Sequence, residues 1–211
     1  VLINKIGDCK DVATLAITML AEAGIKSDYV LVNTNTSLLT DELPSRSFDH
    51  VIVKVNGKTK TRFLDFTASN FPIGNVPSGD VESFALHITP GNTKAMHLER
   101  SLFEPNTITH TVDATINDAG DLSAQSTTVY RGELSARVRA VLRTKGKKDR
   151  EKYMIENLGT TFPNVKLTSF TINNLDTLTP EAILSDKFDS PQYATEVGGF
   201  KMLKLPWKTG T

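Results

Sequence analysis

The chain has 211 residues, and its 24 Lys and Arg balance 24 Asp and Glu, which excludes a strongly basic nucleic-acid binder or an acidic disordered tail as its overall character. With 39% hydrophobic and 23% charged residues, 13 Gly and 9 Pro, it reads as an ordinary globular chain long enough for one large domain or two small ones. No window approaches the run of about 18 apolar residues that a membrane helix needs, and a single cysteine cannot form an intramolecular disulfide.

From Gly7 to Gly24 the punctuation predicts one helix. Asp8 is a good N-cap, Asp11 can reach back to it, and Gly24 suits the left-handed position after the last turn. Val12, Leu15, Ala16, Met19, Leu20 and Ala23 recur at the spacing of one buried stripe. Tyr29 to Val32 reads as a strand, and Asn33 to Ser47 as an exposed loop without periodicity. His50 to Val55 and Thr61 to Phe66 flank Asn56-Gly57, whose tolerance of positive φ predicts an antiparallel hairpin. Phe84 to Ile88 adds a strand, and Glu104-Pro105-Asn106 marks the end of a first domain, 1–104.

A second domain, 105–211, has a different texture. Ile108 to Ile116 and Leu122 to Tyr130 alternate around the turn Asn117 to Asp121, a second hairpin. Leu134 to Leu142 and Tyr153 to Leu158 have helical spacing, the latter closed by Gly159. Val165 to Ile172, Ala182 to Phe188 and Phe200 to Leu205 supply further strands. The fold class is α+β, with a helix packed on an antiparallel sheet followed by a small β-rich domain with a helical insert.

Cys9 falls at the first helical position, where unpaired N–H groups and the positive end of the helix dipole favour a thiolate. The same N–H groups could hold an oxyanion on a carbonyl under attack. The plainer alternative is that a free cysteine is a small buried hydrophobe. A nucleophilic cysteine needs a base, and His50 opens the first strand of the hairpin. A two-residue loop pairs His50 with Phe63 and leaves Asp65 diagonal to it; a four-residue loop starting from Val55 and Lys60 pairs His50 with Asp65 directly. Both registers place imidazole and carboxylate on one face, about 5 Å apart directly or about 7 to 8 Å diagonally. A carboxylate at one ring nitrogen orients the imidazole and leaves the other free to take a proton from a thiol. Cys9 is then the nucleophile, His50 the general base and acid, and Asp65 the orienting group. The alternative is a sheet-edge histidine beside a solvated aspartate.

Three blocks occur in the order Cys, His, Asp: Gly7-Asp8-Cys9-Lys10-Asp11 with its helix and Ala23-Gly24-Ile25, then Phe48-Asp49-His50-Val51-Ile52-Val53, then Phe63-Leu64-Asp65-Phe66-Thr67-Ala68. In this the chain resembles the transglutaminase-like superfamily of bacterial proteins. The resemblance implies a papain-like core with a catalytic triad at Cys9, His50 and Asp65. Where family members have proline and threonine after the aspartate, this chain has Phe66-Thr67, a change expected to alter the turn without touching the carboxylate. Only eight residues precede Cys9, and the opening Val1-Leu2-Ile3-Asn4 carries neither an initiator Met nor a signal-peptide pattern, so the chain reads as the C-terminal part of such a core, an interior piece of something longer. Tyr130-Arg131-Gly132 and Gly198-Gly199-Phe200 to Pro206 resemble the β-rich domain that follows this core in Bacteroidetes-type multidomain proteins.

The activity the resemblance implies is acyl transfer on peptide or isopeptide amide bonds through a Cys9 thioester, with hydrolysis preferred to cross-linking and a protein or peptide as substrate. A periplasmic or extracellular location is implied by the family alone. The rival is a noncatalytic binding or scaffold module with a vestigial triad. Neither a cofactor nor a metal is expected, nor a nucleic-acid partner. Nine cations from Arg131 to Lys152, among them Arg137, Arg139, Arg143 and Arg150, read as the solvated face of two helices. Asn117, Asp118 and Asp121 lack the twelve-residue spacing of a calcium loop, and His87, His97 and His110 lack metal-ligand spacing.

Overall fold

A computed structural model describes residues 2–35, 47–57, 60–99 and 105–205. The chain is α+β, mainly antiparallel, and divides into two compact units, 1–105 and 106–211. The expected loop Asn33 to Ser47 and the turn at Glu104 lie in part outside the described residues.

In the first unit, α1 (Cys9–Glu22) is followed by β1 (Ser27–Val32), β2 (His50–Asn56), β3 (Thr61–Leu64), β4 (Phe84–Ile88) and β5 (Lys94–His97). Helix α1 begins where its cap dictates. The Asp8 carboxylate accepts from the Lys10 and Asp11 amides at 3.0 and 3.2 Å, and Asp11 returns the favour to the Asp8 amide at 3.1 Å, closing a capping box. It ends as Gly24 turns to φ 72° and the amides of Gly24 and Ile25 bond back to Ala21 and Leu20, the left-handed exit that glycine supplies without strain.

The strands order as β3-β2-β1-β4-β5. One face buries Val30, Val32, Ile52, Phe63, Val76, Ala85 and Leu98; the other buries Val51 and Val53 beneath α1. The helix stripe that meets the sheet is Cys9, Ala13, Ile17 and Leu20, with Ala16 also buried. Of the expected stripe, Ala16 is buried and Val12, Leu15 and Leu20 are partly buried, whereas Met19 is 61% exposed and Ala23 is exposed. The physical reason is that α1 carries apolar residues on two sides, and spacing alone does not say which meets a sheet.

The hairpin also departs from both expected registers. Val55 pairs with Arg62 and Asn56 with Thr61, and β3 stops at Leu64, so neither a His50–Phe63 nor a His50–Asp65 pair enters the ladder. The parity is kept, however. With Val53 opposite Leu64, Asp65 continues on the side that His50 shares with Ile52, because strand side chains alternate.

The second unit contains β6 (Thr107–Ile116), β7 (Leu122–Arg131), α2 (Glu133–Arg143), α3 (Lys147–Gly159), β8 (Lys166–Asn173), β9 (Ala182–Ser190), and the small hairpin β10 (Thr195–Val197) and β11 (Phe200–Met202). Its main sheet runs β6-β7-β9-β8. The helices pack against β7, β8 and β9, burying Val138, Leu142, Met154, Leu158 and Phe162 with Leu184 and Phe188. Gly159 is the last residue of α3 rather than a stop beyond it, and Thr160 is the C-cap. At the β6–β7 turn, Gly120 has φ 84° and a Cβ there would lie 2.7 Å from the Ala194 carbonyl oxygen; glycine is required twice over.

The cationic segment is not one solvated face. Arg139 is fully buried on α2, and its guanidinium donates to the Asn174, Thr179 and Glu181 carbonyls and the Ser135 hydroxyl. The correction has a simple cause: guanidinium is the cation best able to satisfy several carbonyls from a planar fork, so it survives burial where lysine does not. Arg137 pairs with Glu133 one helical turn away at 2.6 Å, and Arg150 donates to the Leu142 carbonyl at 2.9 Å.

Candidate active site

The ends of two elements supply the candidate side chains. Cys9 is the first residue of α1, partly buried against Ala13, Val51 and Val53. His50 is the first residue of β2, set there by a backbone bond from Asp49 N–H to Val32 at 3.2 Å and by the His50–Val32 pairing. Asp49 steadies the entry to the strand from the other side, accepting from the Thr34 amide at 2.8 Å, the Thr34 hydroxyl at 2.7 Å and the Asn35 amide group at 2.5 Å.

Asp65 follows β3 directly. Its Oδ2 lies 3.1 Å from His50 Nε2, with the two side chains only 4% and 17% exposed. A carboxylate only accepts, so Nε2 carries the proton here. Oδ1 accepts from the Thr67 amide at 2.8 Å and the Thr67 hydroxyl at 2.7 Å. The contacts come from Thr67, the residue shared with the family pattern, which an Asx-type turn folds back onto the carboxylate.

The electrostatics follow this geometry. The His50 imidazolium is held up to about 9, first by its hydrogen bond to Asp65, with burial opposing, and further by the Asp65 charge, the Cys9 thiol as a hydrogen-bonding partner and the Asp80 charge. Burial alone would raise Asp65, but the bonds from His50 and Thr67 prevail and hold it below the usual carboxylate range. The imidazole thus has Asp65 at Nε2, which leaves Nδ1 as the nitrogen free to exchange a proton with another group.

Sequence reasoning missed a fourth residue. Asp80 is 2% exposed, and its polar atoms, with those of His50 and Asp65, include one from each residue within 4.8 Å of the others. Burial, then the Asp65 charge, push it up to about 7 against the pull of His50. It lies in Pro77-Ser78-Gly79-Asp80, a segment without periodicity, and no local motif distinguishes it from a solvated turn aspartate. Among the described residues these three are the one group spaced to hold a metal ion. Within the set His50 and Asp65 form a hydrogen-bonded relay through Nε2, while Asp80 Oδ2 has no hydrogen-bond partner.

The cap modifies one expectation. Asp8 takes up the Lys10 and Asp11 amides, and the Asp8 carbonyl accepts from Val12 at 3.0 Å. An oxyanion at this helix start therefore looks to the Cys9 amide, not to the first turn as a whole. The Asp8 carboxylate, paired with Lys10 at 3.0 Å, also offsets the positive helix end. Of the remaining histidines, His87 Nε2 meets Asp28 at 3.0 Å, His110 Nδ1 meets the Thr128 hydroxyl at 2.7 Å, and His97 stands edge-on to the Phe84 ring at 5.5 Å. Asn117 and Asp121 bond to each other across the turn. No described helix is long and apolar enough to cross a membrane. No protein-family model, curated protein or solved structure matches the chain.

Proposed function

We propose that the first unit is a transglutaminase-like, papain-like unit, and that it performs cysteine-dependent acyl transfer on peptide or isopeptide amide bonds. The observation that carries the reading is the buried His50–Asp65 pair, Nε2 to Oδ2 at 3.1 Å, with the Cys9 thiol among the groups that raise the imidazole. Cys9 Sγ attacks the amide carbonyl as its proton passes to His50 Nδ1, and Asp65 stabilises the imidazolium that results. His50 then returns the proton to the departing amine, leaving the acyl group on sulfur as a thioester. Water, activated by the neutral imidazole, releases the acid; an amine in its place yields a cross-link. Hydrolysis of a protein or peptide is the reading adopted, in an exported, periplasmic or extracellular setting.

The engagement of the first-turn amides by Asp8 favours a second reading, a scaffold that keeps the fold without the reaction. The two separate on a thioester. With a p-nitrophenyl acyl ester, the wild-type chain acquires one hydroxylamine-sensitive acyl group, seen by intact mass and mapped to Cys9, whereas Cys9→Ala folds equally well and acquires none. An identical adduct on Cys9→Ala would eliminate the covalent mechanism; the absence of any adduct on the wild-type chain would favour the scaffold.

A further inference from the structure

A buried carboxyl without a partner calls for an explanation, because an unpaired charge in low dielectric is unfavourable. Asp80 presents such an oxygen: the residue is 2% exposed and its Oδ2 accepts no hydrogen bond. It is fixed in place by its backbone, whose amide donates to the Pro77 carbonyl at 3.0 Å, while the neighbouring Ser83 hydroxyl bonds to Gly79 at 2.9 Å and the Glu82 amide to Leu98 at 2.8 Å. A turn this well tied holds the carboxyl beside the His50–Asp65 pair rather than letting it swing out to water.

Asp65 is already fully engaged, one oxygen by His50 and the other by Thr67. What the second carboxyl adds is charge. Three groups bear on it electrostatically: His50 at the start of β2, Asp49 just before it, and Asp65 after β3. Of these only His50 attracts it. An ionised Asp80 therefore favours a protonated imidazole, and a protonated imidazole is what accompanies a thiolate at Cys9.

We propose that Asp80 is a positioning residue of the relay, a second buried carboxyl that backs His50 from the side of Asp65 and extends the persistence of the Cys9 thiolate–His50 imidazolium pair into alkaline solution. The inference rests on the acyl-transfer reading for its consequence, but its physical core concerns His50 alone. Near-neutral titration of Asp80, at about 7, fits this role: the second charge arrives as the solution turns alkaline, when the imidazolium most needs support.

The test is an NMR titration of the His50 ring in the full 211-residue chain, in wild type, Asp80→Asn and Cys9→Ser, alongside iodoacetamide alkylation of Cys9 over the same pH series. Asp80→Asn is expected to lower the proton affinity of His50 roughly tenfold, with the alkaline limit of the ion pair moving down with it. An unchanged His50 midpoint in Asp80→Asn overturns the proposal. If that variant fails to fold, the wild-type ring signals decide: a second inflection coincident with the Asp80 carboxyl titration supports the role, and its absence contradicts it. A one-to-one Zn2+ complex that survives Cys9→Ser and is lost in Asp80→Asn would also overturn it, by assigning Asp80 to a cation. Should wild-type Cys9 alkylate independently of His50 while Asp80→Asn still lowers the His50 midpoint, the acyl-transfer reading fails and the Asp80–His50 coupling stands.

Discussion

His50→Ala is expected to slow alkylation of Cys9 by iodoacetamide about tenfold at pH 6 and to leave the rate at pH 10 nearly unchanged. An ordinary thiol is well under one per cent thiolate at pH 6, being about two and a half pH units below its usual midpoint. Pairing with an imidazolium raises that fraction by roughly a hundredfold, and the lower basicity of the paired sulfur returns about a factor of ten through its weaker nucleophilicity. Above about 9 the His50 ring is neutral, so the pair dissolves and the two profiles converge. Rates in wild type and variant that coincide at every pH would show that the thiol and ring do not act together. Because the chain has one cysteine, alkylation reports a single site without correction.

The second large effect is structural and lies in the other unit. Arg139→Ala is expected to destabilise residues 106–211 by about 3 kcal/mol or more, seen as loss of the corresponding transition in urea monitored by circular dichroism. The guanidinium donates to Asn174 at 3.0 Å, Ser135 at 3.1 Å, Thr179 at 2.5 Å and Glu181 at 2.7 Å, fastening α2 to the segment that leads from β8 into β9. Truncation strands these acceptors and opens a cavity beside Ser135 and Leu142, both fully buried. Arg139→Lys should recover little, since three donors on a point charge do not reproduce the planar fork. A fully folded Arg139→Ala unit would contradict this account of the core.

Local rules were the readable part of this fold. Asp8, Asp11 and Gly24 delimit α1 because capping groups act within one turn, and the strand Phe84 to Ile88 coincides with β4. Which side of α1 meets the sheet was not readable, since Met19 is as apolar as Leu20 and only the sheet decides between them. The hairpin shows the same limit. Parity between His50 and Asp65 follows from strand alternation, whereas the register, with Asn56 opposite Thr61, depends on how the loop 57–60 closes.

Burial of charge was the least legible. Arg139 stands among eight other cations that look alike in sequence, and its difference arises wholly from carbonyls supplied by residues 174–181. Asp80 is similar, an aspartate in a proline-glycine turn that becomes important only because β2 and β3 bring His50 and Asp65 to it. Its titration also has a stability consequence. A carboxyl raised from 3.8 to about 7 in the folded chain contributes its full stabilisation below 3.8 and loses it as pH rises through about 7, so at neutral pH the fold carries a destabilising group. A local rule broken at one buried site, with the His50–Asp65 pair beside it, is the pattern expected of function rather than of packing.

The central claim is that Cys9, His50 and Asp65 form one proton-sharing unit, and thiolate absorbance near 240 nm across pH tests it most directly. The account predicts that the thiolate of Cys9 persists in the wild-type chain at pH 6 and that both His50→Ala and Asp65→Asn diminish it there. A single rise near pH 8.5, the same in all three proteins, would contradict it.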